Sequence, residues 1–366
     1  MKWNGAKIKE LLDEKDLTVS GLADSISVTR QTVHNWLKGS LPKGQDLLKL
    51  CEFFKVNVDA FFIKQELPIT LIAHRTHRRT AITPAKVESA RILASEYLIF
   101  FKNVRPFGMV PSLLDKSSDK VYLRELANSI RKMSGIETNK TMTYKAVFKL
   151  LDKLGVFTIF REFSSDLGSY AFFCLIENNR VVFIDSNTHV IDLIFSVLHE
   201  TIHAIRTEKA SDGPSDEEEV FCDKVACFAQ FPESYINKIN GEIQGVGPQK
   251  VIQILKSYAL KNGHSMHGIK RAIEAYTGKS FPDAVNIYPV ESELKKESPT
   301  IGEILFEKNE PRIFWERLKQ FSPHFTNEIK NQLDSISIRK LAQFLGLPTG
   351  QDAQCVIEEL SKSKKE

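Results

Sequence analysis

The first 62 residues have the apolar spacing of short helices that pack together. Ile8, Leu11 and Leu12 fall on one face of a helix predicted over 5–14, because positions three and four apart share a helix face. Further helices are predicted after Thr18, after Thr29 and over 45–54. Short helices with short connections predict an all-α bundle of five helices.

Beyond this bundle the apolar period changes from helical to strand-like and back again. Residues 63–84 are predicted to be a connector, and helices are predicted over 84–101, 119–134 and 141–154. Runs rich in β-branched and aromatic residues predict a small antiparallel sheet, with strands over 156–160, 171–176 and 180–185. Helices follow over 191–208 and 216–230, and the chain past 240 is predicted to be helical, with a break over 289–300. This order predicts an α+β fold.

Length and composition divide the chain and limit its class. A chain of 366 residues with 42% hydrophobic and 26% charged residues is typical of a soluble protein with more than one domain. We expect a helix-turn-helix domain over 1–65, a second domain over 66–240 and a helical region without assigned role over 241–366. Within that last region, GIKRAIEAYTG at 268–278 favours plain helical packing over a second helix-turn-helix.

Charge and cysteine content add little to the functional class. A net charge of +4 neither requires nor excludes nucleic acid. The five scattered cysteines do not suggest a disulfide framework and fit a reducing cytoplasm. No apolar run approaches the roughly 18 residues of a membrane span, and no leader segment is evident. We therefore expect a cytoplasmic protein without a membrane partner.

Residues 18–39 have the features of two short helices joined by a tight turn. Thr18 and Thr29 can cap the two helices, because a threonine hydroxyl accepts a hydrogen bond from a free amide at a helix start. Val33 and Trp36 are spaced to anchor the second helix to the bundle. The outer face and first turn of that helix keep polar residues, which are Arg30, Gln31, Thr32, His34 and Asn35.

The polar residues of this second helix are of types that read DNA. Gln31 and Asn35 can hydrogen bond adenine edges bidentately, and Arg30 can do the same with guanine. Thr29 and Lys38 suit phosphate contacts, which position a protein on DNA without specifying a sequence. Double-stranded DNA is therefore an expected partner. A bundle used only for dimerisation or protein contact is the alternative.

Residues 8–62 resemble the XRE (Cro/cI-type) helix-turn-helix family. The resemblance rests on T-x-x-x-L-A, V-[ST]-x-x-[ST]-[IV] and W-x-x-G, which appear here as Thr18, Leu22, Ala23, Val28, Thr29, Thr32, Val33, Trp36 and Gly39. The closing LPKGQDLLKLCEFFKVNVDAFF is similar to the last two helices of the family. The resemblance implies that the second helix of the motif enters the major groove. A homodimeric reader is one arrangement that the sequence leaves open.

The segment LHETIHAI at 198–205 contains the motif HExxH. His199 and His203 are four apart, so in a helix both can present an imidazole nitrogen to one Zn²⁺. Glu200 lies one step round the helix, where it can reach a water molecule at the metal. The preceding IDLIFSVL is strongly apolar, which predicts a buried helix in which an imidazole without a partner would be costly. A helix with two ordinary histidines is the alternative.

A third protein ligand is expected for a catalytic zinc, with one position left open. Glu219 and Asp223 are four apart in the next predicted helix. They can supply a metal ligand and a carboxylate that orients a ligating imidazole. Glu217 and Glu218 are the neighbouring alternatives, and Glu219 is preferred because Asp223 lies at the matching offset from it.

Residues 68–235 resemble the ImmA/IrrE family of gluzincin-like metallopeptidases. The resemblance rests on helix, strand and HExxH segments in the order of that family, and on its E-x-x-A-[ND] segment, which appears here as Glu219, Cys222 and Asp223. It implies a zincin-like domain with a Zn²⁺ cofactor, and it assigns roles to particular residues. The implied zinc ligands are His199, His203 and Glu219. Glu200 is the implied catalytic base, and Asp223 is the implied partner that hydrogen bonds a ligand from outside the metal site. Ile202 and Cys222 replace a small residue and an alanine that are usual in the family, and neither change removes a ligand.

Other residues have weaker claims to a role in the site. An oxyanion stabiliser is expected near the zinc, and His189, His264 and His267 are considered for it, although each also suits an ordinary polar position. Cys222 can sense redox state or compete for metal, but a buried small hydrophobic residue is the favoured interpretation. The basic cluster over 74–79 suits either DNA phosphates or a solvated connector.

The two resemblances together imply a regulator that acts on both DNA and protein. The expected function is a zinc-dependent endopeptidase, joined to a DNA-binding domain, that cleaves a repressor or an antitoxin and so controls transcription, for example in a stress response. One alternative is a non-proteolytic transcription factor whose peptidase-like domain senses a ligand or partner. Another is an antitoxin-like protein that binds a toxin. The sequence leaves open the substrate, the operator, the activating signal and the oligomeric state.

Overall fold

The computed structural model describes residues 2–63, 69–76, 83–106, 117–206, 216–282, 284–307 and 310–362. Its backbone contacts divide the chain into two compact units, Met1–Leu67 and Pro68–Glu366. The second unit includes the whole of the helical region 241–366 together with residues 68–240 of the predicted domain over 66–240. Within the described ranges, no helix is both long enough and apolar enough to cross a membrane.

The N-terminal unit is helical apart from one pair of very short strands. Its elements are β1 (Lys2–Trp3), α1 (Gly5–Glu14), α2 (Val19–Ser25), α3 (Arg30–Leu37), α4 (Gly44–Phe54), a 3-10 helix (Val58–Phe61) and β2 (Phe62–Ile63). The fifth helix of the predicted bundle is the single 3-10 turn, and β1 pairs antiparallel with β2. Residues without exposed surface form the centre of the core, namely Ile8, Leu22, Val33, Leu50 and Phe61.

Hydrogen bonds close the turn between α2 and α3. Ser27 adopts the left-handed conformation with a φ of 57°, and the amide of Val28 donates to the carbonyl of Ala23 at 3.0 Å. This is the pattern of a Schellman motif, which satisfies carbonyl groups at a helix end. The hydroxyl of Thr29 then accepts a hydrogen bond from the amide of Thr32 at 3.1 Å. The threonine cap expected at the start of α3 is therefore present.

The second unit combines one sheet with many helices. Its strands are β3 (Ile69–Thr76), β4 (Phe157–Arg161), β5 (Ser169–Ile176) and β6 (Asn179–Asp185). Among the described residues, four helices lie between β3 and β4 in the chain, namely α5 (Pro84–Ser95), α6 (Leu98–Phe101), α7 (Lys120–Ser134) and α8 (Tyr144–Lys153). After β6 come α9 (Val190–Arg206) and α10 (Asp216–Gln230). The remaining helices are α11 (Glu233–Ile243), α12 (Pro248–Asn262), α13 (Met266–Thr277), α14 (Tyr288–Glu297), α15 (Ile301–Leu305), α16 (Pro311–Phe321), α17 (Pro323–Gln332), α18 (Ile338–Leu345) and α19 (Gly350–Lys362).

The sheet is mixed, and the prediction of an antiparallel sheet was wrong in one pair. The strand order is β3-β5-β6-β4, with β4 parallel to β6 and the other two pairs antiparallel. Glu177 and Asn178 have φ values of 49° and 64°, as in a two-residue hairpin turn that joins β5 to β6. The other side of β6 pairs with β4, which runs in the same direction as β6. The fold is mostly helical α+β.

Two further predictions about elements were wrong. Part of the predicted connector over 63–84 is strand β3, which forms the edge of the sheet beside β5. The predicted break over 289–300 is mostly helix α14, in which Pro289 lies in the first turn. A proline there costs no hydrogen bond, because the first amides of a helix have no partner within it.

Helix α9 lies between the sheet and α10. It packs against β3, β5 and β6 on one side and against α8 and α10 elsewhere. Every residue of α9 is buried except Asp192 and Phe195, which keep partial exposure. A helix that is apolar nearly all round is expected in such an interior position, and its polar residues therefore need partners from the neighbouring elements.

Arg131 of α7 fixes the end of α10 against its surroundings. The residue is 1% exposed, and its guanidinium donates to the carbonyl of Ala229 at 2.8 Å and to that of Glu137 at 3.0 Å. It also donates to the carbonyls of Thr138 and Lys140. One buried side chain therefore joins α7, α10 and the segment between α7 and α8.

We predict that Arg131→Ala lowers the free energy of unfolding by about 3 kcal/mol, because it leaves buried carbonyl groups without their charged donor. The neighbouring Lys132 is exposed, so Lys132→Ala is the matched control and is expected to change stability by no more than about 0.5 kcal/mol. Urea denaturation of both variants measures the difference. Equal losses for the two variants would contradict the role of Arg131.

Candidate metal centre and DNA-recognition helix

Helices α9 and α10 bring four polar side chains together. His199 and His203 lie one turn apart on α9, and Glu219 and Asp223 lie one turn apart on α10. The side chains of both histidines are 1% exposed, whereas those of Glu219 and Asp223 are 30% and 18% exposed. The pair from α9 is thus enclosed, and the pair from α10 lies between it and the solvent.

The donor atoms of three of these residues have the spacing that one metal ion requires. Nε2 of His199 is 3.1 Å from Oε2 of Glu219, and Nε2 of His203 is 3.3 Å from Oε1. The two Nε2 atoms are 3.1 Å apart. Ligands about 2.0–2.1 Å from a tetrahedral zinc lie roughly 3.4 Å from one another. His199, His203 and Glu219 therefore form a buried group that could hold a metal ion.

The pKa shifts of His203 and Glu219 also suit a metal. Burial lowers the pKa of His203, and this outweighs the opposing effect of Glu219. Burial alone would raise the pKa of Glu219, but the hydrogen bonds from His199 and His203 bring it well below its usual value. A neutral imidazole and an ionised carboxylate are the forms that bind metal ions.

Asp223 lies on the far side of the His199 ring. Its Oδ1 is 3.0 Å from Nδ1 of His199. With a metal bound, Nδ1 would donate to this carboxylate, and the lone pair of Nε2 would be free for the metal in place of the hydrogen bond to Glu219. An outer carboxylate commonly orients a ligating imidazole in this way. Oδ2 of Asp223 contacts Arg271 at 3.0 Å, a residue of α13 with no motif in the sequence that links it to the site.

The neighbouring glutamates of α10 have different surroundings. Glu218 forms a buried ion pair with Arg206, whose guanidinium also lies over the ring of Phe221 at 4.7 Å. Glu217 is exposed. Of the three successive glutamates, Glu219 is the one placed against both imidazoles, because the phase of α10 turns its side chain toward α9.

Cys222 belongs to a second group of potential metal donors, together with His203 and Glu218. Its Sγ is 3.6 Å from Nδ1 of His203 and 3.8 Å from Oε1 of Glu218. Burial raises the pKa of this thiol well above its ordinary value, and a protonated thiol is a poor ligand. Because Glu218 is also engaged by Arg206, this second group suits a metal less well than the first.

Glu200 is fully buried beside His199 on α9. Its carboxylate contributes to the raised pKa values of two thiols, those of Cys174 on β5 and Cys222 on α10, after the larger effect of burial. Glu200 therefore lies near both the sheet and α10, but it is not a member of the three-donor group.

The three histidines considered as oxyanion stabilisers occupy different places. Nδ1 of His189 is 2.7 Å from the carbonyl oxygen of Ser298. His264 is buried beside Gln230, 3.1 Å from its amide nitrogen, and burial lowers its pKa to about 3. His267 is exposed in the first turn of α13. The oxyanion role stays a prediction for all three.

The predicted basic cluster is described only in part. His74 and Arg75 belong to strand β3. The other members, which are His77, Arg78 and Arg79, lie outside the described residues.

In the N-terminal unit, α3 presents polar residues and buries apolar ones. Val33 and Trp36 are 0% and 3% exposed. The predicted DNA-contacting residues are exposed or half-buried, the exposed ones being Thr29, Arg30, Gln31, Asn35 and Lys38 and the half-buried ones Thr32 and His34. The side-chain amide of Gln31 donates to that of Asn35 at 3.1 Å, so these two side chains form one polar surface.

The C-terminal end of α3 is fixed by the start of the chain. The indole of Trp3 donates to the carbonyl of Trp36 at 2.8 Å. Gly5 lies so close that a methyl group there would collide with the carbonyl oxygens of Trp36 and Leu37. These contacts hold the backbone of α3 in place while its outer face stays exposed.

Comparison with known proteins identifies the N-terminal domain. Residues 8–61 match the family model described as Helix-turn-helix (HTH_3), so the chain contains an XRE-type helix-turn-helix domain, which implies DNA binding. No curated protein matches the chain. The solved structure of ComR from Streptococcus suis aligns with 100% of this chain and 97% of its own chain at 9% identity. The TM-score is 0.16, so this alignment does not show that the two folds are alike. The comparisons name no peptidase family, so the ImmA/IrrE resemblance stays a prediction.

We predict that the protein binds about one Zn²⁺ per chain and that His203→Ala loses it, because two remaining ligands cannot complete a protein zinc site. His324 is the control histidine, since it bonds the carbonyl of Asp152 at 2.8 Å. Metal content after dialysis, measured by mass spectrometry, should fall for His203→Ala and stay at the wild-type level for His324→Ala. Equal zinc in wild type and His203→Ala would exclude this centre.

Proposed function

We propose that this chain is a DNA-binding regulator whose second unit is a zinc-dependent endopeptidase that cleaves a protein such as a repressor or an antitoxin. The observation that carries the proposal is the buried group of His199, His203 and Glu219, with its donor atoms 3.1–3.3 Å apart. Two imidazoles and a glutamate are a donor set of catalytic zinc in metallopeptidases. The HExxH spacing adds Glu200 on the same helix.

Each residue of the centre would have a distinct task. His199, His203 and Glu219 would hold the zinc, which supplies Lewis acidity toward a peptide carbonyl and toward water. Asp223 would keep the His199 ring in the orientation that ligation needs. Glu200 would accept a proton from water at its carboxylate and pass it to the leaving amine.

The exposure of the centre indicates the side from which a peptide would approach. His199 and His203 are enclosed, but the side chains of Glu219 and Asp223 are 30% and 18% exposed. A catalytic zinc keeps one position open for water or substrate. We therefore place the approach on the α10 side, next to Glu219.

The DNA-binding part of the proposal concerns α3. Side chains on its exposed face would read base edges in the major groove, namely Arg30, Gln31, Thr32 and Asn35. Thr29 and Lys38, which suit phosphate contacts, flank them, and His34 belongs to the same polar set of the helix. The expected partner is double-stranded DNA, and a homodimer would read two half-sites.

A non-proteolytic regulator is the second candidate, and one observation favours it. His199, Glu200 and His203 are 0–1% exposed, which leaves a peptide little access to the proposed base and to the two imidazoles. In that case the second unit would bind a metal, a toxin or another partner, and metal binding would change DNA binding without cleavage.

We predict that Glu200→Gln keeps zinc but loses proteolysis, because an amide has nearly the shape of a carboxylate and cannot accept the proton. The protein is incubated with the repressor or antitoxin encoded beside its gene, and cleavage is followed by electrophoresis and mass spectrometry. Glu217→Gln, at an exposed position of α10, is the matched control and should cleave as the wild type does. A wild type that binds zinc and cleaves no such protein would favour the sensor.

We predict that Gln31→Ala weakens binding to the preferred operator by about 1–3 kcal/mol and relaxes base preference at one position. Lys38→Ala should weaken specific and random duplexes alike, since phosphate contacts carry no sequence information. Lys9→Ala, which removes an exposed lysine from α1, is the control for loss of charge. Fluorescence anisotropy at fixed salt measures all three. Unchanged specificity in Gln31→Ala would remove this residue from the recognition surface.

A further inference from the structure

We infer that Arg271, on α13, is a positioning residue of the metal centre that acts by holding Asp223. The inference rests on the proposed metal centre and extends it to the region 241–366, which has no role assigned from its sequence. Arg271 lies 48 residues after Asp223 in the chain. The contacts between them join α13 to the helices that carry the ligands.

Each oxygen of the Asp223 carboxylate has a partner. Oδ1 is 3.0 Å from Nδ1 of His199, and Oδ2 is 3.0 Å from the guanidinium of Arg271. A carboxylate with one fixed oxygen can still turn about its terminal bond, since that torsion is broad. The contact with Arg271 restricts the turn and keeps Oδ1 opposite the imidazole.

Arg271 also contacts the helix that carries the histidines. Its guanidinium carbon lies 4.9 Å from the centre of the Phe195 ring, and Phe195 precedes His199 by one turn, with 6.5 Å between the ring centres. A planar guanidinium can stack on an aromatic ring while it donates to a carboxylate, which an ammonium group cannot do in the same way. Arg271 thereby ties α9 and α10 together at the level of His199.

Helix α13 is well suited to hold a side chain in place. Its first turn is fixed at two amides, because Gly268 donates to the hydroxyl of Ser265 at 3.0 Å and Met266 donates to the Glu291 carboxylate at 2.8 Å. Near its other end, the hydroxyl of Tyr276 donates to the carbonyl of Phe231 at 2.8 Å. Arg271 lies between these two attachments, so its backbone has little freedom to follow a displaced Asp223.

The size of the expected effect follows from the indirect action of Arg271, which contacts Asp223 and not a metal ligand. Loss of a group that orients a ligand commonly lowers metal affinity about 10- to 100-fold. Arg271 acts through Asp223 and is 22% exposed, so the solvent replaces part of its interaction. We therefore expect Arg271→Ala to lower zinc affinity about tenfold, and Asp223→Ala to lower it by more.

The test is a double-mutant cycle on the full chain with zinc affinity as the readout, measured by competition with a chromophoric chelator. Arg271→Ala and Asp223→Ala are compared alone and together, because residues that act through one another are not additive. The Co²⁺ absorption spectrum of each variant reports the ligand geometry independently of activity. Lys270→Ala is the matched control, since Lys270 is next to Arg271 but lies over the ring of Phe281, 5.5 Å from its centre.

The expected result is a loss of affinity and an altered Co²⁺ spectrum in Arg271→Ala, no change in Lys270→Ala, and no additional loss when Arg271→Ala is added to Asp223→Ala. If Arg271→Ala does not fold, Arg271→Lys is used, which keeps the charge without the planar group and should lose affinity several-fold.

Three outcomes would overturn the inference. The first is an Arg271→Ala variant that binds zinc with wild-type affinity. The second is an Arg271→Ala substitution that lowers zinc affinity by the same factor in the wild type and in Asp223→Ala. A wild-type protein that binds no zinc would overturn the proposed metal centre together with the inference.

Discussion

The second unit depends on the pairing of a carboxylate with two imidazoles in an apolar interior. Polar groups in such surroundings are costly unless they are bonded to one another, so α10 has to present Glu219 and Asp223 to α9. His199 and His203 are one turn apart, as are the two acidic residues. Because the spacing is the same on both helices, contacts of Glu219 and Asp223 with the two imidazoles set the position of α10 along the axis of α9. Apolar burial is non-directional, whereas each of the four polar residues needs a specific partner across the two helices.

Elements that are determined by neighbouring residues can be predicted from the sequence. Pairings with elements that are distant in the chain cannot. The cap at Thr29 and the bounds of α10 follow from neighbouring residues, and both agree with the structure. The pairing of β4 does not, because alternating side chains predict a strand without indicating which strand lies beside it. The proline at 289 is ambiguous from sequence, since proline both interrupts a helix and suits its first turn.

The same division applies to the candidate site. The pair on α9 is recognisable because HExxH is a local spacing, and helical phase selects Glu219 from a run of three glutamates. Arg271 and the ion pair of Arg206 with Glu218 have no comparable signal. Arginine is common on solvated helix faces, and only tertiary packing decides which arginine meets a buried carboxylate. Whether the centre is catalytic depends on access and on a substrate, which residue spacing does not determine.

The apolar cores of the second unit are joined rather than separate. One core surrounds the sheet and extends to α18 and α19, and the other lies among α11 to α14. Phe195, Ala275 and Tyr276 pack against both, so neither core can open without disturbing the other. A ligand that binds only the native state stabilises whatever unfolds together with its site. Occupancy of the centre would therefore slow amide hydrogen exchange as far away as α18 and α19, which contribute none of its ligands.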